Sequence, residues 1–194
     1  MERNSKESQG YILESQIREA FGRVTYSQTC HDKKINKLLE KNERIKFTQI
    51  ILSAASTSGI CVSIFSNKKI SSIFSALISL FLLIHSTYMK NFNLLEEAQA
   101  HKKASDLLWK IREEYVSLLT DFEVLELDVI MKKRDELQER TSKVYSEFPR
   151  TDSKSYAAAQ KALKTEEEQT FSEKEIDIML PNSIRRCNRK IIGD

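Results

Sequence analysis

The stretch SIFSNKKISSIF, Ser63–Phe74, sets an asparagine and two lysines between two runs of apolar and small residues. The run before them, Phe47–Ser66, and the run after them, Ile70–Met89, contain no Asp, Glu, Lys or Arg. Each run is about 20 residues, the length an α-helix needs to cross roughly 30 Å of hydrocarbon. Every Leu, Ile and Phe of the second run favours insertion by about 0.3–0.6 kcal/mol, enough together to carry its serines and His85 into lipid. The first run is more polar, with Gln49, Ser53, Ser56, Thr57, Ser58 and Ser63, and is expected to insert with its partner as a hairpin. Asn67 suits a left-handed helix end, and Lys68 and Lys69 hold the tip in water. A soluble core helix keeps charges on one face, and that face is missing twice in succession. The expected fold is all-α: an integral-membrane two-helix hairpin continuous with long helices outside the membrane.

Composition bounds the remainder. The chain has 194 residues, four Gly and two Pro, with its charges crowded outside the two runs. That pattern fits one helical unit rather than two globular domains. The expected order is a polar segment over 1–15, a helix over 16–46, the hairpin over 47–89 with spans at 47–66 and 70–89, a helical region over 90–180, and a basic tail over 181–194. A net charge of +3 drawn from short clusters does not mark a nucleic-acid binder. Three scattered cysteines, Cys30, Cys61 and Cys187, fit a reducing compartment. The start MERNSKESQG has no apolar stretch of the kind a signal peptide requires. Lys33, Lys34, Lys37, Lys41, Arg44 and Lys46 before the first span, with Lys90, Lys102 and Lys103 after the second, outnumber the two tip lysines. Both termini are therefore expected in the cytoplasm.

Outside the hairpin the pattern stays helical. Ile17, Phe21, Val24, Ile35, Leu38 and Leu39 share one side of a first helix, which Gly22 weakens. No Gly or Pro stops the second span, so the helix is expected to continue through NFNLLEEAQ. Ala104, Leu108, Ile111, Tyr115, Leu118 and Phe122 alternate steps of four and three, the spacing of a coiled-coil seam. Leu108, Ile111, Tyr115 and Leu118 are the candidates for joining copies of the chain. A charged helix should run from about Leu127 to Phe148, an alanine-rich one should follow in TDSKSYAAAQKALK, and Ser172 with Glu175 should form a capping box.

Chemistry is sparse. Cys30–His31 has no second Cys or His pair to complete a zinc site and reads as a surface dipeptide. With no glycine-rich phosphate loop, no cofactor, metal or catalytic residue is expected. The acidic run TEEEQ reads as a solvated helix face. His85 is ionisable within a span, where such groups are functional candidates, yet it stands near the span's end and suits a neutral interfacial histidine. In the second span Ser71, Ser75, Ser79 and Ser86 form one stripe. In the first, Ser53, Ser56, Gly59, Ser63 and Ser66 form a small-residue face, with Ala55, Gly59 and Ser63 in small-xxx-small register. Two readings stay open: close helix packing, or hydroxyls from several copies lining a water path. Two helices cannot enclose a pore, so conduction would need an oligomer.

These blocks together resemble a family. GRVTYSQTCHDKKINKLLEKNERIKFTQIILSAAST (Gly22–Thr57), the short tip, YMKNFNLLEEAQAHKKASDLLWKIREEYVSLLTD (Tyr88–Asp121), KKRDELQERTSKVY (Lys132–Tyr145), FPRTDSKSYAAAQKAL (Phe148–Leu163) and FSEKEIDIMLP (Phe171–Pro181) are similar to SLATT proteins. The resemblance covers roughly Ile17–Leu180. It implies a bacterial two-transmembrane effector of the inner membrane, associated with SMODS-class nucleotide-signalling enzymes and SLOG sensors. Such an effector damages the membrane in an antiviral conflict system. Partners implied are the lipid bilayer, further copies of the chain, and a nucleotidyltransferase, SLOG-type sensor or reverse transcriptase encoded nearby. The family brings no catalytic motif, and the matching Tyr26, Trp109, Tyr115, Pro149, Arg150, Tyr156 and Pro181 read as packing residues. A non-conducting membrane scaffold is the alternative function, and a soluble adaptor survives only if the hairpin is outside lipid.

Overall fold

The computed structural model describes residues 2–66 and 69–186, with side chains for 8–58 and 73–186. Its elements are α1 (Glu2–Ser66), α2 (Lys69–Asn91), α3 (Leu94–Thr120), α4 (Leu127–Glu147), α5 (Ser153–Lys164) and α6 (Glu173–Met179), followed by a 3-10 turn at Asn182–Ile184. No strand occurs among the described residues. At 65 residues α1 is one rod of roughly 100 Å, and the other elements are arranged against it. It starts at Glu2 rather than Gln16, and it runs through Gly22 without a break. Leu13, in the stretch read as a polar segment, is already in the core.

The chain turns back after α1, and α2 and α3 return along it in tandem. The His85 side chain meets the Ile45 carbonyl and Ser79 meets Ser56 on the outer half. His31 meets His101 and Asp32 meets Ser105 on the inner half. The continuous helix expected across Asn91–Asn93 does not form. Asn93 has left helical geometry, and its side-chain oxygen accepts from the Glu96 amide at 3.2 Å, capping α3. A short amide side chain that can satisfy free N–H groups starts a new helix as readily as it continues an old one. Phe92 stacks on Tyr88 with ring centroids 4.5 Å apart and closes the corner.

Beyond the corner α1, α3 and α4 form a three-helix body. Leu13, Ile17, Ala20 and Val24 of α1 meet Ala104, Leu108, Ile111, Tyr115 and Leu118 of α3 and Ile130, Leu137 and Val144 of α4. Each helix contributes steps of three and four or of seven, which keep one stripe facing its partners. Arg140 and Lys133 of α4 clasp Glu114 of α3 at 2.7 and 3.1 Å along the seam's edge. Short α5 lies on α1, held by buried Ser155, Ala159 and Ala162. The acidic TEEEQ run is not a helix face. It forms a turn after α5 in which Glu167 and Gln169 take positive φ of 52° and 70°. That turn is tied down by Glu168 to Lys33 at 2.7 Å and by Gln169 to Thr29 at 3.1 Å. The Ser172–Glu175 capping box is present, with both of its reciprocal bonds, on α6.

Candidate functional site: the apolar hairpin and its polar junction

One helix among the described residues is long and apolar enough to cross a membrane, beginning at Ile73, and 6% of its most apolar window is buried. Ile73, Phe74, Leu77, Leu80, Phe81, Leu83 and Ile84 of α2 are all more than half exposed. On the outer half of α1, Phe47, Ile50 and Ile51 are exposed in the same way. A patch of this size on a monomer marks an interaction surface, for a membrane or for another protein.

The polar atoms of the same segment turn inward or toward their own backbone. Ser75 is buried at 5% exposure against α1, and buried Ser56 shares a 2.8 Å hydrogen bond with Ser79. Ser86 is half-buried. Away from that contact, Thr48, Thr57, Ser58 and Thr87 donate to carbonyls four residues back at 2.8–3.0 Å. Hydroxyls paired this way need no water, which is what a hydrocarbon environment demands of them. Ala55, first of the small-xxx-small register, is exposed. The side-chain surroundings of Gly59, Ser63, Ser71 and Lys69, and both Asn67 and Lys68, lie outside the described residues.

Beneath the apolar segment lies a polar junction. His85 Nε2 donates to the Ile45 carbonyl at 2.9 Å, pinning α2 to α1 one turn above the basic flank. Lys41 Nζ donates to the Tyr88 hydroxyl at 3.2 Å and lies 5.7 Å from the centre of its ring. This is the cation and aromatic pairing favoured where apolar and aqueous phases meet. Lower still, Lys34 and Lys37 of α1 reach Asp152 Oδ2 at 3.2 and 3.1 Å, and Lys34 also reaches Glu97 at 3.1 Å. Asp152 Oδ1 caps α5 by accepting from the Ser155 amide at 2.7 Å. That amide, then the Ser155 hydroxyl and the two lysines, hold the Asp152 carboxyl far below the usual range.

The Cys30–His31 pair is not on the surface. Cys30 is 4% exposed and His31 6%, and His101 of α3 closes over His31. Nδ1 of His31 and Nδ1 of His101 are 2.9 Å apart, so one ring donates to the other. Burial, and then His101, push His31 down to about 4, while burial, and then Lys34, lower His101. Burial raises the Cys30 thiol to about 11 and leaves it unreactive.

A pH dependence follows. Unfolded, His31 takes up its proton near 6.5; folded, it does so only near 4. Between those values the unfolded chain binds more protons, so stability is full above about 6.5 and falls with pH. Urea melts at pH 7.5 and 4.5 should differ by on the order of 2 kcal/mol, and His31→Gln should flatten the difference. The Asp152 contribution is lost only below 3.8, its ordinary value, which separates the two effects.

Leu108, Ile111, Tyr115 and Leu118 are occupied within the chain. Their exposures are 0, 2, 1 and 4%, and their contacts are with α1 and α4.

Among known families, the model for SMODS and SLOG-associating 2TM effector domain family 4 matches residues 13–175, from the first core residue of α1 to the capping box of α6. No curated protein and no solved structure matches the chain.

Proposed function

Because the chain belongs to the SMODS and SLOG-associating 2TM effector domain family, we propose that it is the membrane effector of a bacterial antiphage system. On this reading α1 and α2 cross the inner membrane as a hairpin. When a partner signals infection, several copies open a pore or disrupt the bilayer. The observation that carries the reading is the division of α2 between an outer surface of large apolar side chains and an inner side where Ser75 is buried and the Ser79 hydroxyl meets Ser56 of α1. A soluble bundle would bury the former. Suitable partners are those the family's description names, a SMODS-class nucleotidyltransferase or a SLOG-type sensor; a reverse transcriptase encoded nearby is a further candidate. The test is induced expression in bacteria with uptake of a membrane-impermeant dye, with and without the partner. Dye entry is expected at constant protein level, and none even with the partner active would overturn the reading.

One observation favours a non-conducting scaffold. The seam best suited to joining copies, Leu108 to Leu118, is filled by the chain's own α1 and α4. A pore would then have to assemble through the outer surface of the hairpin, where Ala55 and the α2 apolars are exposed. Absence of leakage would put the scaffold first.

Topology is testable separately. The basic residues flanking both spans favour cytoplasmic termini. A cysteine at Asn67 should react with an impermeant thiol reagent in intact cells, and one at Lys103 should not. Ser105 is unsuitable for the second position, since it is 5% exposed and donates to Asp32 at 2.6 Å. The reverse labelling would invert the assignment.

A further inference from the structure

A cleft of about 880 Å³ opens between α1, the end of α4 and the link into α5. It lies in the helical body, away from the hairpin, and none of the junction's ion pairs uses it. Its volume is within the range of small-ligand sites, roughly 300–1,000 Å³.

Three features of its wall need explaining. The first is aromatic: Tyr26 and Tyr156 stand 5.4 Å apart with planes 32° from parallel, and Tyr145 and Phe148 continue the surface. Tyr156 and Tyr145 are 53% and 47% exposed, an arrangement that leaves flat ring area free for another ring. The second is cationic. Arg150 lines the cleft and has no ion pair or hydrogen bond among the described residues. Arg23, also in the lining, pairs among the described residues with Glu19 alone, four residues back, through side chains that are 56% and 73% exposed. An exposed pair of that kind contributes little and is easily exchanged for a better anion. Among the lining residues the two guanidiniums outnumber the Glu19 carboxylate, and His31 below them is neutral at pH 7. The third is an orphan: the Tyr26 hydroxyl is shielded from solvent and has no hydrogen-bond partner. A buried donor left unmade costs about 1–3 kcal/mol, so its persistence calls for a partner.

Gly22 lies at the exposed edge of the cleft. A Cβ built there meets nothing within 4 Å, so the glycine is not required for packing. In a helix interior it costs roughly 1 kcal/mol against alanine. What it does supply is open space between the aromatic and the cationic walls.

We propose that this cleft binds a nucleoside phosphate. Its base stacks on the exposed Tyr156 ring, a shift of that ring opens the shielded Tyr26 hydroxyl to the base edge, and its phosphate is taken by Arg150 and by Arg23 released from Glu19. A purely apolar ligand would strand the guanidiniums, and a bare phosphate would leave the rings unused. Only a planar ring joined to an anion satisfies all three features. The site also has a path to the hairpin. The Pro149–Thr151 link that forms one lip leads straight to Asp152, whose partners Lys34 and Lys37 are on α1 below the apolar segment. A ligand that shifts the lip pulls on that latch. The inference rests on the effector reading for what binding does, but not for whether binding occurs.

The experiment uses the full chain purified in detergent and titrated with ATP, GTP and cyclic di-AMP, with adenosine and tripolyphosphate as the separated halves. At least one nucleotide should bind, each half alone about tenfold more weakly or worse. Arg150→Gln and Tyr156→Ala, both exposed, should each weaken binding about tenfold while leaving the helical melt unchanged. Gly22→Leu should raise the melting temperature and weaken binding about tenfold or more by crowding the cleft mouth. Failure of all three nucleotides, or affinity indifferent to these substitutions, would overturn the site. Nucleotide binding in a protein that never admits dye would uphold the site and remove the effector reading. Dye leakage without nucleotide binding would do the opposite.

Discussion

Replacing Leu108 with aspartate should unfold the helical body. Leu108 has no exposed surface and packs among Ile17, Val24, Ile111 and Leu137, in a cluster of residues from α1, α3 and α4. The substitution removes a leucine's burial and leaves a carboxylate with no cation in the core. The first costs about 2–5 kcal/mol and the second about 3–5 kcal/mol, which together take most of the roughly 5–15 kcal/mol that holds a domain folded. Val116→Asp, on the exposed side of the same helix at 41%, should change stability by no more than about 0.5 kcal/mol. Thermal melts followed by helix ellipticity separate the two outcomes, and particle mass in detergent decides their meaning. If Leu108→Asp kept the melt of the parent and instead lowered the mass, the seam would join copies of the chain rather than its own helices.

That prediction differs from one drawn from spacing alone, and the reason is physical. The alternation of four and three through Ala104, Leu108, Ile111, Tyr115 and Leu118 is visible in the sequence because each step returns to the same side of α3. The partner is not visible, because Ile17 and Val24 lie some 90 residues away in the chain and carry an ordinary apolar period that would suit either use. The boundaries of α4 and α5 and the α6 capping box were legible, since Pro149, Asp152, Ser172 and Pro181 act on their nearest neighbours. The break at Asn93 is local too, but an asparagine is tolerated within helices, and only the bond to the Glu96 amide shows which role it took. The burial of His31 was illegible for the opposite reason: the side chain that meets it is His101, 70 residues on. The cleft was hidden in the same way, as Tyr26, Arg150 and Tyr156 each read as a packing residue until the fold gathers them on one wall.

The hairpin offers the second large effect. Changing Ser75 and Ser79 together to leucine should abolish dye entry while expression and membrane insertion persist. Ser75 is almost fully buried against α1, and Ser79, though exposed over much of its surface, turns its hydroxyl to Ser56. Leucine at position 75 would force α2 away from α1, at about 1–3 kcal/mol, where the present side chain allows close approach, and leucine at position 79 would remove the bond to Ser56. Alanine at the same two positions separates the remaining explanations. It keeps the close approach and removes only the hydroxyls, at about 0.6 kcal/mol for a hydrogen bond between helices in a membrane. If the serines serve packing, the double alanine variant should admit dye nearly as the parent does. If hydroxyls line a water path among several copies, the alanine variant should lose most of its leakage as well, because apolar walls favour dewetting of a narrow passage. The 2.8 Å bond between Ser56 and Ser79 within one chain supports the first outcome: a hydroxyl satisfied by its own hairpin has less to offer to water. Full dye entry in the double leucine variant would show that α1 and α2 need not stay in contact for the membrane to fail.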